Sequence, residues 1–164
     1  MRRKKGQYFA PVSGAPPPVT VSLKRRVSFS EVDPMGIVWH GRYPQYFEEG
    51  FAVLGRNCGL SYHDFYRSGL RAPIVQLHID YFAPLVLDEE VTIEASLLWS
   101  EGARIHIEYA LYKETGTLAV TGYTVQMFTD AVSGVPLLVS PPLIEECRRR
   151  WKKGDLQCAK KRRL

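Results

Sequence analysis

A carboxylate and an imidazole, Asp33 and His40, stand seven residues apart just ahead of a predicted helix. Gly36 indicates a loop between them, and residues 41–58 have a helical pattern. The first amides of a helix lack an intrahelical acceptor and lie at its positive end, so they can hold an oxygen that becomes negative during a reaction. An acid, an imidazole and such amides are the groups that acyl transfer requires.

The predicted helix has one apolar face that would hold it against a sheet. Large apolar side chains recur every three or four residues; they are Tyr43, Tyr46, Phe47, Phe51 and Leu54. Gly50 lies on the same face and permits a close approach. Pro44 lies in the first turn, where its missing N–H would have no partner. We expect the aromatic residues to be mainly core residues.

After residue 72 the apolar residues alternate, which predicts long strands. The alternating stretches are residues 75–81, 91–99, 105–111 and 119–127. Short polar connections at residues 100–102 and 113–116 favour antiparallel neighbours. We therefore predict a meander of four strands.

Three further elements complete the prediction. They are a first strand over residues 20–30, a short helix over 61–68 with Ser61 as N-cap, and a terminal helix over 141–153. The fold class is α+β, with one long helix on a curled antiparallel sheet. The edges of such a sheet must be paired or blunted, which favours association of subunits.

The chain of 164 residues has the length of one ordinary domain. We divide it into an irregular, basic and Pro-rich segment 1–19, a domain over 20–140, and a helix with a basic tail over 141–164. The two ends hold 13 of the 22 Lys and Arg residues, so the net charge of +5 conceals an acidic middle. Basic ends suit nucleic acid, anionic membrane surfaces or an acidic carrier. We favour solvated tails and no nucleic-acid function, because stacking aromatic residues and known motifs are absent.

The segment DPMGIVWHGRYPQYFE, residues 33–48, resembles the signature of hotdog-fold acyl-CoA thioesterases of the 4-hydroxybenzoyl-CoA thioesterase type. In that family D-x-x-G-x-V-[YW]-H-x-x-Y-x-x-[YF]-[FY]-E opens the central helix. IDYFAPLVLDEEV at residues 79–91 is similar to the family's strand, bend and second strand. Two positions depart from the family pattern: Phe29 stands where the family often has Tyr, and Gly50 stands where many members have Arg. The family's acid and imidazole roles can therefore be assigned to this chain more safely than its substrate contacts.

This resemblance implies hydrolysis of acyl-CoA or acyl-carrier-protein thioesters by a homodimer or homotetramer with its site at the subunit boundary. Asp33 would act as general base or nucleophile, and His40 would bind the thioester carbonyl or protonate the departing thiolate. The amides of Val38, Trp39 and Gly41 are the expected oxyanion donors. Supporting or substrate-lining residues would be Gly36, Tyr43, Tyr46, Phe47 and Glu48.

Other chemistries have less support. No His pair has metal-ligand spacing, so we expect no metal, and no cofactor beyond the carrier of the substrate. The segment GLSYH at residues 59–63 lacks the last glycine of G-x-S-x-G. Cys58, Cys147 and Cys158 lack C-x-x-C spacing, which favours a reducing cytoplasm. No apolar run approaches the roughly 20 residues that span a bilayer.

Two rival functions remain open. A hotdog 3-hydroxyacyl-thioester dehydratase would abstract a proton beside the carbonyl, but the F-P-x-x-P-type segment of that branch is absent. A non-catalytic acyl-thioester binding module would share the fold, and an activity assay separates it from an enzyme.

Overall fold

The computed structural model describes residues 6–156 and has the predicted α+β composition. Its elements are β1 (Val19–Arg26), α1 (Tyr43–Cys58), α2 (Tyr62–Arg67), β2 (Leu70–Arg71), β3 (Ile74–Tyr81), β4 (Glu90–Leu98), β5 (Arg104–Lys113), β6 (Leu118–Met127), β7 (Thr129–Asp130) and α3 (Pro142–Lys153). Two 3-10 turns, Phe29–Glu31 and His40–Arg42, lie between β1 and α1.

Five antiparallel strands form a sheet in the order β1-β4-β5-β6-β3. The predicted meander is confirmed for β4, β5 and β6, whose connections are short. It is wrong for β3, which pairs with β6, so that Ile79 lies opposite Gly122. Residues 82–89 do not form a tight turn. They cross from β3, at one edge of the sheet, to β4, which lies next to β1 at the other edge. As a result, β3 is an edge strand of this sheet.

The predicted face of α1 packs on the sheet, with Tyr43, Tyr46, Phe47, Phe51 and Leu54 all buried. Gly50 permits the close approach, because a Cβ there would lie 3.2 Å from the Cβ of Ala95. Gly122 plays a similar part on β6. A Cβ at Gly122 would lie 2.7 Å from the ring of Phe47, so this ring fills the space of the missing side chain.

Some predicted boundaries move by a few residues. The helix predicted from Gly41 begins at Tyr43, because a 3-10 turn precedes it. The first strand ends at Arg26, since the chain turns at Ser28 into the 3-10 turn Phe29–Glu31. The short helix is confirmed, with the Ser61 hydroxyl accepting the third amide of α2. The terminal helix is confirmed as well.

Residues 6–18 are irregular and mostly exposed, but the expectation of a solvated tail is wrong for Tyr8 and Phe9, which dock on the sheet. The Tyr8 hydroxyl donates to Asp80 Oδ2 at 2.7 Å and lies 2.5 Å from Thr121 Oγ1. The Tyr8 amide donates to Glu108 Oε1 at 2.6 Å. The Phe9 ring stacks on that of His106, with centroids 4.4 Å apart. Composition did not reveal this docking, because two neighbouring aromatic residues with well-placed partners anchor a segment that is otherwise rich in Pro and small residues.

Tyr8→Phe should lower the free energy of unfolding by about 1 kcal/mol, the net contribution of a typical hydrogen bond. For a chain of this size the melting temperature would fall by about 2–4 °C. The Tyr8 hydrogen bond holds the pKa of Asp80 below its ordinary value. A depressed folded-state pKa contributes stability above the unfolded pKa and loses it as pH falls through the folded pKa.

The difference between wild type and Tyr8→Phe should therefore shrink as pH falls below about 4, the ordinary pKa of an aspartate. Thermal unfolding at several pH values measures this, with Gln7→Ala at an exposed neighbouring position as the control. A Tyr8→Phe protein as stable as wild type at neutral pH would show that the docked hydroxyl contributes nothing.

The C-terminal helix α3 is tied to other parts of the fold. Trp151 Nε1 donates to the Pro17 carbonyl at 2.8 Å. Cys58 and Cys147 are both buried, and a hydrogen bond with Cys58 lowers the pKa of Cys147. Cys158 and the basic residues beyond it lie outside the described part of the chain, as do residues 1–5. Within residues 6–156 no helix is long and apolar enough to cross a membrane.

Candidate active site

Asp33 begins a tight turn that is built largely from its own backbone. Its N–H donates to the Ile37 carbonyl, and its carbonyl accepts the Gly36 N–H, both at 2.9 Å. Gly36 has a φ of +75°, in the left-handed region that favours glycine. The Met35 N–H donates to Asp33 Oδ1 at 2.8 Å. The Asp33 side chain is half-buried, and Oδ1 is the carboxylate oxygen that the Met35 amide holds.

A cavity of about 380 Å³ opens beside this turn. It is lined by Asp33, Met35, Ile37, Val38, His40, Tyr43, Tyr81, Phe82, Ala83 and Pro84. The structure thus brings the predicted acid and imidazole to one cavity at the start of α1. The other walls are mainly apolar and aromatic, which suits an acyl group.

His40 lies in the 3-10 turn that leads into α1. Its ring lies beside that of Trp39, with centroids 4.8 Å apart. Its carbonyl accepts the Tyr81 hydroxyl at 3.1 Å. The end of β3 therefore fixes the backbone that carries the imidazole.

Two of the three amides predicted as oxyanion donors already have acceptors within the chain. The Val38 N–H donates to the Leu85 carbonyl, and the Trp39 N–H donates to the Glu31 carbonyl, both at 2.9 Å. These bonds join the end of the Asp33 turn to the connection after β3 and to the 3-10 turn Phe29–Glu31. Both amides are thus structural in this chain.

Gly41 is the third predicted donor and lies in the 3-10 turn His40–Arg42. The first amides of a helical turn have no acceptor within that turn. A Cβ at Gly41 would lie 2.1 Å from the Trp39 ring. The indole therefore lies directly over Gly41, and any larger residue there would displace it.

Tyr43, in the first turn of α1, is buried and lines the cavity. Burial raises the pKa of its hydroxyl to about 12. The hydroxyl therefore stays protonated at neutral pH.

The other predicted supporting residues do not line this cavity. Tyr46 and Phe47 belong to the core. Glu48 is exposed on α1 and accepts the Tyr62 hydroxyl at 2.5 Å. Burial, followed by this bond to Glu48, raises the pKa of Tyr62.

Sequence reasoning missed the wall that faces Asp33, which comes from Tyr81 and the three residues after β3. Lys113 Nζ holds this wall, donating to the Pro84 carbonyl at 2.6 Å and to Glu89 Oε2 at 2.9 Å. The proline of the IDYFAPLVLDEEV segment was the available signal, because it marks where the chain leaves the strand. Within residues 6–156 no group of three or more His, Cys, Asp or Glu side chains could hold a metal ion.

A sequence profile for the Thioesterase-like superfamily matches residues 27–149. This chain belongs to the Thioesterase-like superfamily. Its assignment is broader than the 4-hydroxybenzoyl-CoA type that residues 33–48 resemble. A curated relative in Bacillus subtilis (strain 168), YneP, is named provisionally as an acyl-CoA thioesterase. It is 28% identical over 111 residues, which cover 68% of this chain and 80% of YneP.

Solved structures confirm the hotdog fold of this superfamily member. The DHNA-CoA thioesterase from Staphylococcus aureus superposes with a TM-score of 0.72 and 21% identity, covering 83% of this chain and 95% of that one. A second Staphylococcus aureus protein, SAV2348, was solved in complex with CoA. It gives a TM-score of 0.72 at 18% identity and covers 90% of both chains.

Proposed function

We propose that this protein hydrolyses acyl-CoA thioesters to a free acid and a thiol. The observation that carries the proposal is that Asp33 and His40 line one largely apolar cavity at the start of α1, in a chain of the Thioesterase-like superfamily. The name of YneP supports an acyl-CoA substrate, and so does the CoA complex of SAV2348.

Asp33 supplies the carboxylate of the proposed reaction. The Met35 amide donates to Oδ1 and fixes the carboxylate in the turn. Oδ2 is therefore the oxygen that we propose reacts. Two routes are open to it: removal of a proton from the attacking water, or direct attack on the thioester carbonyl. A single turnover in oxygen-18 water tests for direct attack, in which the thiolate leaves and a mixed anhydride forms on Asp33. Label in the Asp33 carboxylate identifies this route, because only water that opens the anhydride at the Asp33 carbonyl places it there; base catalysis labels the product acid alone.

His40 and Gly41 supply the donors that stabilise the negative charge formed during the reaction. The His40 imidazole hydrogen-bonds the thioester carbonyl or gives a proton to the departing thiolate. The Gly41 amide, at the start of the helical turn, donates to the oxygen that becomes negative. The proposed chemistry uses these groups and water, without a metal or a cofactor.

We further propose that two copies pair through β3. This strand is a sheet edge, and its side chains Val75 and Leu77 are 47% and 46% exposed. The regular pairing from Gln76 to Tyr81 places Leu77 on the same face as Tyr81, which lines the cavity. Pairing of the two β3 edges would cover these apolar groups and place a partner subunit beside each cavity.

The test of the function is a panel of aliphatic and aromatic acyl-CoA thioesters, with matching acyl-carrier-protein thioesters, assayed for release of free thiol. We expect turnover of at least one CoA thioester. Binding of thioesters without release of thiol from any of them would instead identify a non-catalytic binding module. Dehydration of a 3-hydroxyacyl thioester with no hydrolysis would identify a dehydratase.

A further inference from the structure

Glu31 is a buried carboxylate two residues before Asp33, and it is only 4% exposed. Both of its oxygens lie 2.7 Å from Arg25 Nη2. Oε2 also accepts the Ser28 N–H at 2.7 Å and the Tyr46 hydroxyl at 3.2 Å. Every partner of this carboxylate is a donor, which is the arrangement that a buried negative charge requires.

The partners come from the two elements on either side of the site loop. Arg25 lies on β1, and Tyr46 lies on α1. The Arg25 guanidinium also lies over the Tyr46 ring, 4.3 Å from its centroid. Burial, together with the nearby Glu31 charge, raises the pKa of Tyr46, so its hydroxyl remains a donor. Glu31 therefore joins β1 to α1 through the loop that carries the site.

The backbone of Glu31 closes the base of this loop. Its carbonyl accepts the Trp39 N–H at 2.9 Å, and Val32 pairs with Val38 in the next bridge. Asp33 is the next residue after Val32 on one strand of this base, and His40 is the next residue after Trp39 on the other. A displacement of Glu31 would therefore move both groups.

We infer that Glu31 is a positioning residue whose buried carboxylate, held by Arg25 and Tyr46, sets the relative placement of Asp33 and His40. Glu31 does not line the cavity and touches no reacting atom, so it acts only through the loop. The effect on turnover rests on the proposed function, whereas the effect on the loop does not.

Glu31→Gln tests the inference with little change of shape. The amide nitrogen of Gln would face one of the present donors, so at least one hydrogen bond is lost and the loop shifts. We expect kcat to fall by about 10- to 100-fold, because a misplacement of about 1 Å has effects of that size. KM should change much less, since the cavity wall from β3 is untouched.

Glu49→Gln is the matched control. Glu49 Oε1 accepts Nη1 of the same Arg25 at 2.5 Å, but Glu49 lies on α1 and is not part of the loop. We expect it to keep the kcat of wild type. Tyr46→Phe, which removes one of the hydrogen bonds and keeps the ion pair, should give a smaller fall and guards against a Glu31→Gln protein that does not fold.

Hydrogen–deuterium exchange supplies a readout that does not depend on activity. Exchange in residues 32–40 should rise in Glu31→Gln and Tyr46→Phe and stay at the wild-type level in Glu49→Gln. The inference is overturned if folded Glu31→Gln keeps the wild-type kcat, if exchange in the loop does not rise, or if Glu49→Gln has the same effects. A wild-type protein that hydrolyses no thioester would refute the proposed function alone, and exchange would still decide the role of Glu31 in the loop.

Discussion

Asp33→Asn should lower kcat by at least about 10²-fold, the scale of a positioned general base. The asparagine oxygen can still accept the Met35 amide that Asp33 Oδ1 accepts now, so the turn should persist. The new amide group neither takes a proton from water nor attacks a thioester. Thiol release under saturating substrate measures kcat, and circular dichroism checks the fold.

Asp88→Asn provides the matched control for this substitution. Asp88 lies in the connection over residues 82–89, is exposed, and has a φ of +64°, which asparagine also tolerates. The same chemical change outside the cavity should leave kcat unaltered. A folded Asp33→Asn protein with nearly normal turnover would end the proposed mechanism.

The candidate acid and imidazole could be found from sequence because the positioning information is local. Asp33 and His40 lie in one short segment, and the turn glycine and the helix that follows have their own signals. The apolar face of α1 was equally readable, since helical periodicity specifies which side chains are buried.

Partners that are distant in the sequence could not be found in this way. Alternation shows that residues 74–81 form a strand, but it does not say that β3 pairs with β6. The docking of Tyr8 depends on Asp80 and Thr121, which only the folded sheet brings together. The role of Glu31 is hidden for a different reason. A glutamate is rarely buried, so the sequence predicts an exposed side chain at this position. Only the folded structure shows that Arg25 lies beside Glu31 and pairs with its buried charge.

The oxyanion donors show a further limit of local reasoning. A segment ahead of a helix offers several amides, and sequence does not say which of them bond within the chain. The carbonyls of Leu85 and Glu31 occupy the amides of Val38 and Trp39, and Leu85 comes from a connection far along the chain. The Gly41 amide remains the proposed donor because it begins a helical turn.

Leu77→Asp should separate the subunits of the proposed dimer and reduce activity in proportion to the loss of dimer. Leu77 lies on the exposed edge strand β3, on the face that carries Tyr81. An aspartate there would bury an unpaired charge on association, which strongly disfavours the paired state. In the free chain the same position is 46% exposed, so the charge remains hydrated and the monomer should fold.

Leu138→Asp is the control, because Leu138 is 95% exposed and lies outside β3. It should leave both association and thiol release unchanged. Light scattering and the thioester assay should be run at the same series of protein concentrations for the wild type and both variants. A Leu77→Asp protein that is monomeric and fully active would contradict a shared site, because each cavity would then be complete within one chain. A Leu77→Asp protein that remains a fully active dimer would place the interface elsewhere than β3.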